Sequence, residues 1–538
     1  MPRWRTDGIA GPGQREAPRR PERPARPDNR TNAYDAYATT GGSDMNISRR
    51  AWRTGLAVAM TVTGAVAVPA AHAAGGEAAA TAELRDDFNG DGYADLAVAA
   101  PSATVGGKKG AGYVAVLYGS ASGLRTATKQ VFSQNTAGVP GSAETDDEFG
   151  SALNTADLDR DGYADLVVGV GREDTAGGGT DSGLVEVIWG GAKGLSGGAA
   201  LATGRAHDAL GAHGRMTVAD VDGDDATDVV TVETQHDLRI AKGPFTRDGA
   251  HSGGDQVVKD PYDSRVLDLD AGDINGDGIT DVVATENDGD EYDARRIPYW
   301  LGTPEGLTSF TLVYDVDGAQ LQGGENLDVG DVNRDGYDDI VVGRAVDGYD
   351  SDLDTYRAKG GRVAWIPGTA DGPDGVDAVF VNQDSAGVPG TAEKGDAFGT
   401  DVQIGDVDGD GYPDVATGVF GEDLGSVTNA GAVVVLRGTA TGLTGTGAQV
   451  VTQNTANVPG TAEKGDTFGR AVHLGDANGD GLADLAVGTP GENTGAGFVW
   501  TFRSGSSTVV APNGTTAFGA SVLGTVAANG GLGTGFAY

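Results

Sequence analysis

Seven stretches of this chain place acidic or amide side chains at alternate positions of a nine-residue segment, with the general form Asp-x-Asp/Asn-x-Asp-Gly-x-x-Asp. The copies begin at Asp87, Asp157, Asp220, Asp273, Asp331, Asp406 and Asp476. Carboxylate, amide and carbonyl oxygens at this density are the ligands that Ca²⁺ prefers, whereas Mg²⁺ demands a stricter octahedron and ranks second. The sequence therefore predicts up to seven calcium sites.

Positions one, three, five and nine of each copy offer side-chain oxygens, and position seven offers a backbone carbonyl. The predicted ligands are Asp87, Asn89, Asp91, Tyr93, Asp95, Asp157, Asp159, Asp161, Tyr163, Asp165, Asp220, Asp222, Asp224, Ala226, Asp228, Asp273, Asn275, Asp277, Ile279, Asp281, Asp331, Asn333, Asp335, Tyr337, Asp339, Asp406, Asp408, Asp410, Tyr412, Asp414, Asp476, Asn478, Asp480, Leu482 and Asp484. The third copy has Asp225 where the others have the turn glycine. Because a left-handed backbone costs more for aspartate than for glycine, we expect the third site to be the weakest.

The residues after each loop indicate the kind of fold that carries it. A short apolar run ending in glycine follows, as at 166–169, 340–343 and 485–488. Such runs are typical of buried β-strands. An EF-hand would instead close with Glu at position twelve and lie between helices, so EF-hands and helical dockerin modules are disfavoured.

The repeat length and composition favour a β-propeller. Successive loops are separated by 53 residues (Asp220 to Asp273) to 75 residues (Asp331 to Asp406), enough for four short strands and their turns. A second strand signature recurs, as at 183–190 and 431–438, and no helical period is present. The predicted fold is all-β, a seven-bladed β-propeller with four-stranded blades and a calcium loop in each blade.

A Phe-Gly pair precedes three of the loops, at Phe149-Gly150, Phe398-Gly399 and Phe468-Gly469. With the loops, these pairs resemble the FG-GAP repeat of the integrin α propeller, which is also found in bacterial secreted proteins and in the propeller of glycosylphosphatidylinositol-specific phospholipase D. The resemblance covers residues 84–524. It implies that each calcium loop joins the first and second strands of a blade, on the lower face of the ring.

The resemblance is uneven along the chain. The third repeat has Leu210-Gly211 in place of Phe-Gly, and the fourth and fifth repeats lack the pair, so their assignment rests on the calcium loops. The first repeat opens at its loop, and the last Phe-Gly pair, Phe518-Gly519, has no loop after it. We therefore expect Ala517 to Leu523 to close the ring as the first strand of the first blade, with residues 525–538 as a Gly-rich tail.

The N-terminal region differs from the repeats. Residues 1–44 are rich in Pro and Arg and are expected to be disordered, or to result from a mis-assigned start. Residues 45–73 combine Arg49, Arg50 and Arg53 with an apolar run and a small-residue cleavage site near Ala73. This pattern predicts a secretory signal peptide; a membrane anchor is the less favoured alternative, because the run is short. The expected location is extracellular.

Composition restricts the partners. The formal net charge is −40, which disfavours binding to nucleic acid or to an anionic membrane surface. With no cysteine, the chain has neither disulfides nor thiolate metal sites. We expect a monomer without a membrane span after signal cleavage, binding an extracellular protein or glycan.

No catalytic constellation is evident in the sequence, because none of its six His residues lies in a nucleophile–base pattern or a zinc motif. Trp189, Trp300, Trp365 and Trp500 fall on predicted third strands, where packing between blades is favoured over sugar stacking. Near-identical segments ending in Val-Pro-Gly, at 135–141, 384–390 and 454–460, are either well-formed turns or an upper, ligand-facing surface.

We interpret the chain as a secreted, calcium-binding recognition or adhesion module. The alternative is a secreted hydrolase or lyase that acts on glycans or phospholipids, with the propeller as scaffold.

Overall fold

The computed structural model describes residues 86–287, 295–350, 355–505 and 510–538, which all belong to one compact unit, Ala78–Tyr538. They form a seven-bladed β-propeller of antiparallel sheets, which confirms the predicted fold class. The predicted disordered extension and signal peptide lie outside the described residues. Among the described residues, no helix has the length and apolarity needed to span a bilayer.

The first four blades run in chain order from the ring axis outwards, and each neighbouring pair of strands is antiparallel. Their strands are β1 (Leu96–Ala100), β2 (Tyr113–Tyr118) and β3 (Arg125–Phe132); β4 (Phe149–Ala156), β5 (Asp165–Val170), β6 (Leu184–Trp189) and β7 (Ser196–Thr203); β8 (Met216–Ala219), β9 (Asp228–Glu233), β10 (Asp237–Lys242) and β11 (Gly254–Val258); and β12 (Arg265–Gly272), β13 (Asp281–Asn287), β14 (Pro298–Trp300) and β15 (Thr311–Leu312).

The last three blades follow the same order, with a small hairpin inserted into the fifth blade and two single-turn helices near the end of the chain. Their elements are β16 (Asn326–Gly330), β17 (Asp339–Arg344), the hairpin β18 (Tyr349–Asp350) and β19 (Thr355–Tyr356), β20 (Arg362–Ile366) and β21 (Val379–Val381); β22 (Phe398–Gly405), β23 (Asp414–Val419), β24 (Ala432–Arg437) and β25 (Thr444–Val451); and β26 (Ala471–Gly475), β27 (Asp484–Thr489), α1 (Glu492–Gly495), β28 (Phe498–Ser504), β29 (Val510–Gly519) and α2 (Ala520–Leu523).

The hydrophobic core lies between adjacent blades. Phe149 is fully buried in a cluster that joins Val114 and Val116 of the first blade to Leu166 and Val168 of the second. The Phe-Gly pairs also make backbone contacts between blades: Phe398 and Phe468 form parallel bridges to the glycine that precedes the third strand of the preceding blade. Each pair therefore latches one blade to the next.

The ring is closed by the end of the chain, downstream of the predicted segment. The amide of Gly533 donates to the Ala99 carbonyl at 3.1 Å, the amide of Ala99 donates to the Gly535 carbonyl at 2.9 Å, and the amide of Ala537 donates to the Ala97 carbonyl at 3.1 Å. These contacts supply the inner neighbour of β1, so part of the expected Gly-rich tail completes the first blade.

The prediction that Ala517 to Leu523 closes the ring is therefore wrong. Phe518 lies in β29, opposite Val499, where it belongs to the outer strand of the seventh blade. Leu532 joins the seventh blade to the first instead. It forms a parallel bridge to Gly497, as Phe468 does to Gly431. Without β29 the seventh blade would have only three strands, so this segment serves as its outer strand.

Candidate functional site

The first aspartate of each nine-residue loop fixes the backbone of that loop. Asp87 accepts hydrogen bonds at Oδ1 from the amides of Gly90 and Asp91, at 2.7 and 3.1 Å, and at Oδ2 from the amide of Gly92, at 2.7 Å. All seven loops make two or three bonds of this kind, and each precedes the second strand of its blade. We call this end of the ring the lower face.

The ninth residue connects each loop to its sheet. In the second blade, Asp165 accepts from the amide of Gly190 at 2.7 Å and from the amide of Leu158 at 3.0 Å. Burial raises the pKa of this carboxyl group to about 7. The equivalent aspartates shift in the same direction for the same reason, to about 8 for Asp95, about 7 for Asp228, Asp281, Asp339 and Asp414, and about 6 for Asp484.

In three loops, one oxygen from each of three carboxylates lies within 4.8 Å of the others. The groups are Asp157, Asp159 and Asp165; Asp220, Asp222 and Asp228; and Asp406, Asp408 and Asp414. Asp159 Oδ1 and Asp222 Oδ1 are buried there without a hydrogen-bond partner. A set of hard oxygen donors with orphaned carboxylate oxygens fits a calcium ion.

The other four loops carry an amide at the third position, and therefore have one carboxylate fewer. These amides are Asn89, Asn275, Asn333 and Asn478. Their carbonyl oxygens are suitable calcium ligands, although three of the amide groups donate to an acid of the same loop: Asn89 to Asp95 at 3.4 Å, Asn333 to Asp335 at 2.9 Å and Asn478 to Asp484 at 2.9 Å. The loops thus divide into an Asp type and an Asn type.

A basic side chain accompanies each Asp-type loop, a feature that the sequence analysis missed. Lys242 Nζ lies 2.9 Å from Asp222 Oδ2, Arg247 forms ion pairs with Asp159 and Asp161, and Arg437 contacts the sixth loop. Each of these three basic side chains lies at a loop that has aspartate at position three. The positive charge of the basic side chain therefore offsets the negative charge of the extra carboxylate at position three. Lys242 and Arg437 end the third strands β10 and β24, which is the signal that could have identified them.

The third loop has the strained turn that the sequence predicts. Asp225 adopts φ of +64°, whereas the turn glycines of the other loops, such as Gly162 at +87°, adopt this region without a side chain. The backbone basis for a weaker third site is thus present, and its lower affinity stays a prediction.

At the opposite end of the first strands, which we call the upper face, a cavity of about 270 Å³ lies on the ring axis. Residues from all seven blades line it, including the polar side chains His213, Asp268, Glu325, Asp401 and Arg470. His213 and Arg470 are exposed; His213 Nε2 is 3.4 Å from Glu148 Oε2, and Arg470 lies 4.9 Å above the ring of Phe420.

The Val-Pro-Gly segments pack on the rim of the ring. Val139 is buried, Gly138 lies against Gly197 at the start of the outer strand β7, and the Pro459 carbonyl accepts a hydrogen bond from Trp500 Nε1 at 2.9 Å. The segments therefore pack against the third and outer strands of the following blade. Asn135, Ala137 and Gly138 are exposed, and the ligand-facing surface stays a prediction.

The four tryptophans are buried on third strands, as predicted. Trp189, Trp300, Trp365 and Trp500 are at most 5% exposed, which leaves no face for stacking on a sugar. Trp365 also donates from Nε1 to Asp339 Oδ2 at 2.9 Å, so it supports the fifth loop from within the sheet.

Comparison with known proteins identifies the repeats. The FG-GAP repeat profile matches residues 81–117, 149–187, 398–436 and 468–502, and the FG-GAP-like repeat profile matches residues 273–342. These matches include the fourth and fifth repeats, which lack the Phe-Gly pair.

The curated relatives have larger chains. Integrin alpha pat-2 of Caenorhabditis briggsae is 31% identical over 226 residues, which are 40% of this chain and 17% of the relative. Phosphatidylinositol-glycan-specific phospholipase D of Bos taurus is 32% identical over 183 residues, 33% of this chain and 20% of the relative. Integrin alpha-IIb of Homo sapiens is 42% identical over 84 residues, 15% of this chain and 7% of the relative.

The aligned region thus spans a fifth or less of these relatives, so their activities as whole proteins do not transfer directly. What the chain shares with them is the repeat. The five matched segments and the seven-bladed architecture together show that this chain belongs to the FG-GAP repeat family, with an integrin α-like β-propeller.

Proposed function

We propose that this protein is a secreted, calcium-binding β-propeller that recognises an extracellular protein or glycan. The observation that carries the proposal is the axial cavity on the upper face, which residues from all seven blades line with several polar side chains. Concave sites with a few convergent polar groups are the usual places for ligand recognition. The integrin relatives support an adhesion role for the same architecture.

Calcium has a structural part in this proposal. The nine-residue loops lie at the end of the ring opposite the cavity, so ions bound there would stabilise the blades without touching the ligand. An extracellular-class site with a dissociation constant of about 0.1 mM contributes roughly 1.4 kcal/mol at about 1 mM calcium. Several such sites would contribute a large share of a domain's stability.

Secretion rests on the sequence of residues 45–73, which has the charged, apolar and small-residue regions of a signal peptide. Extracellular calcium, at about millimolar concentration, suits sites of this affinity class. We propose cleavage near Ala73 and a monomeric mature chain.

The test screens the chain from residue 74 against glycan and extracellular-protein arrays in calcium and in chelator. The double variant His213→Ala with Arg470→Ala removes two exposed groups at the cavity. The matched control, His207→Ala with Arg205→Ala, removes the same chemistry from exposed residues outside the cavity lining. We expect at least tenfold weaker binding in the cavity variant alone; unchanged binding, or equal loss in the control, would refute the proposal.

The phospholipase relative and the carboxylates Asp268 and Asp401 in the cavity favour a second candidate, a hydrolase or lyase acting on glycans or phospholipids. Turnover assays on the substances that bind, with Asp401→Asn as the variant, separate the two functions. Product release that the variant abolishes would support the enzyme, whereas tight binding without product supports the recognition module.

A further inference from the structure

A buried cluster of one glutamine and two acids recurs three times at the upper face, where the second, sixth and seventh blades begin. In each cluster the glutamine and the second acid are separated by the same number of residues, 39. The clusters are Gln134, Asp147 and Glu173; Gln383, Asp396 and Glu422; and Gln453, Asp466 and Glu492. None of these residues belongs to a nine-residue loop.

The glutamine in each cluster has an unsatisfied oxygen. Gln134, Gln383 and Gln453 are 4%, 4% and 2% exposed, and each donates from Nε2 to the glutamate, at 2.7, 2.8 and 2.7 Å. In all three, the buried Oε1 of the same amide has no hydrogen-bond partner. A buried acceptor without a partner is destabilising, so its presence in three copies indicates a ligand.

The opposite orientation of the amide leads to the same conclusion. It would place Gln134 Oε1 at the present Nε2 position, 2.7 Å from Glu173 Oε2. Two oxygens at that separation repel each other unless a proton or a cation lies between them. In either orientation the cluster has more acceptors than donors.

The two acids of each cluster form no ion pair with a described basic side chain. Asp147 is 3% exposed and accepts a hydrogen bond from the amide of Glu144. Burial raises the pKa of Glu173 to about 7. The hydrogen bond from Gln134 opposes this shift, and the charge of Asp147 adds to it. In the third cluster, Asp466 and Glu492 lie within hydrogen-bonding reach of each other. Among the described residues, no ion pair involves either acid of any cluster; Arg172 pairs instead with Glu148 and Asp181.

The third blade provides an internal comparison. Asp208 is buried and accepts from the amide of Arg205 at 2.8 Å, so the turn that holds Asp147 is also present there. Counting from the last loop aspartate, His236 occupies the place of Glu173; counting from the buried aspartate of the turn, Arg205 occupies the place of Glu144. The turn therefore forms without the glutamine and glutamate, which require another explanation.

We propose that each of the three clusters binds a divalent hard cation, for which Ca²⁺ is the test ion, through the glutamine Oε1 and the aspartate and glutamate carboxylates. Such oxygens are calcium ligands, and a bound ion would satisfy the orphaned acceptor and the paired acids at once. Gln134 follows β3 of the first blade, whereas Asp147 and Glu173 flank β4 and β5 of the second. Each ion would therefore join two consecutive blades, at the end of the strands remote from the nine-residue loops.

The experiment counts ions. The triple variant Glu173→Gln, Glu422→Gln and Glu492→Gln and the wild-type chain are titrated with Ca²⁺ by calorimetry, and bound calcium is measured after equilibrium dialysis. The matched control is Glu144→Gln, Glu393→Gln and Glu463→Gln, whose side chains are exposed. We expect three fewer calcium ions in the test variant and no change in the control. Equal stoichiometry in all three proteins, or equal loss in both variants, would overturn the proposal.

A second measurement does not depend on the variant folding. Wild-type crystals grown in about 5 mM Ca²⁺, above the affinity range of extracellular sites, should show anomalous difference peaks between Gln134, Asp147 and Glu173 and at the two equivalent positions. Peaks confined to the nine-residue loops would show that the acids share a proton, and the proposal would be wrong.

Discussion

Arg437 Nη1 lies 3.0 Å from Asp414 Oδ2, the buried last carboxylate of the sixth loop, and the same guanidinium contacts Asp408 and Asp410. The sixth loop therefore contains a cation of its own. Because Asp408 gives this loop one carboxylate more than an Asn-type loop, the guanidinium offsets the additional charge. A calcium ion bound at this loop would have to displace the guanidinium or share ligands with it.

Replacing this residue should strengthen calcium binding at the sixth loop. We expect Arg437→Gln to tighten one site by about tenfold, since a competing positive charge is removed from the ligand set. In chelator the variant should be less stable than the wild-type chain, because the carboxylates lose their counter-ion. Calorimetric titration and thermal unfolding measure the two effects.

Arg503 provides the control, because it lies in the third strand of the seventh blade and donates to the Ser122 carbonyl rather than to its loop. Arg503→Gln should leave the affinity of every loop unchanged. A similar gain in both variants would mean that general charge, and not occupancy of the sixth loop, limits binding.

The third loop should be repairable. Asp225→Gly removes a non-glycine residue from φ of +64°, and should stabilise the chain by about 1 kcal/mol and tighten one calcium site. Gly162→Asp, at φ of +87° in the second loop, should have the opposite effect. Urea unfolding and calcium titration measure both variants. If Asp225→Gly weakens binding, the Asp225 side chain itself has a role at the site.

Stability should depend on pH in opposite senses with and without calcium. Burial raises the pKa of Asp165 and Asp228 to about 7, from about 3.9 in an unfolded chain. Their contribution without metal is therefore complete below about pH 4 and is lost as the pH rises through 7. The metal-free chain should be more stable at about pH 5.5 than at about pH 8.5.

With saturating calcium the trend should reverse, because calcium binds the ionised carboxylates that high pH supplies. Urea unfolding at both pH values, with and without the ion, checks this. Asp228→Asn should reduce the pH dependence of the metal-free chain. Metal-free stability that is equal at the two pH values would contradict the assignment.

Closure by the end of the chain predicts a sensitive glycine. Gly533 has φ of +84°, and an added Cβ would lie 2.8 Å from Gly488 Cα in the neighbouring blade. We expect Gly533→Ala to destabilise the chain by about 2–4 kcal/mol through strain and lost contact across the closure. Gly514→Ala, at φ of +83° but with nothing within 4 Å, should cost only about 1–2 kcal/mol. Equal losses of unfolding free energy in the two variants, measured with urea, would show that the close packing at Gly533 does not stabilise the closure of the ring.

The nine-residue loops and the blades could be predicted from the sequence because both are local. Asp87 bonds amides only three to five residues away, and the apolar run after each loop is buried as a strand whatever its partners are. The burial of Trp189 and Trp500 followed from their recurrence on third strands. These features depend on the spacing of residues along the sequence, which can be read without the structure.

Contacts between blades were decided by the tertiary structure. Phe518-Gly519 has the sequence of a latch but lies in an outer strand, whereas Leu532-Gly533 lacks the phenylalanine and closes the ring. Arg437 ends a third strand, but only the fold brings it to the sixth loop, and Gln134 reaches Glu173 from 39 residues away. A strand edge accepts any backbone of suitable length, and a charged side chain pairs with whichever group the fold brings near, so these partners exist only once the seven blades have closed into a ring.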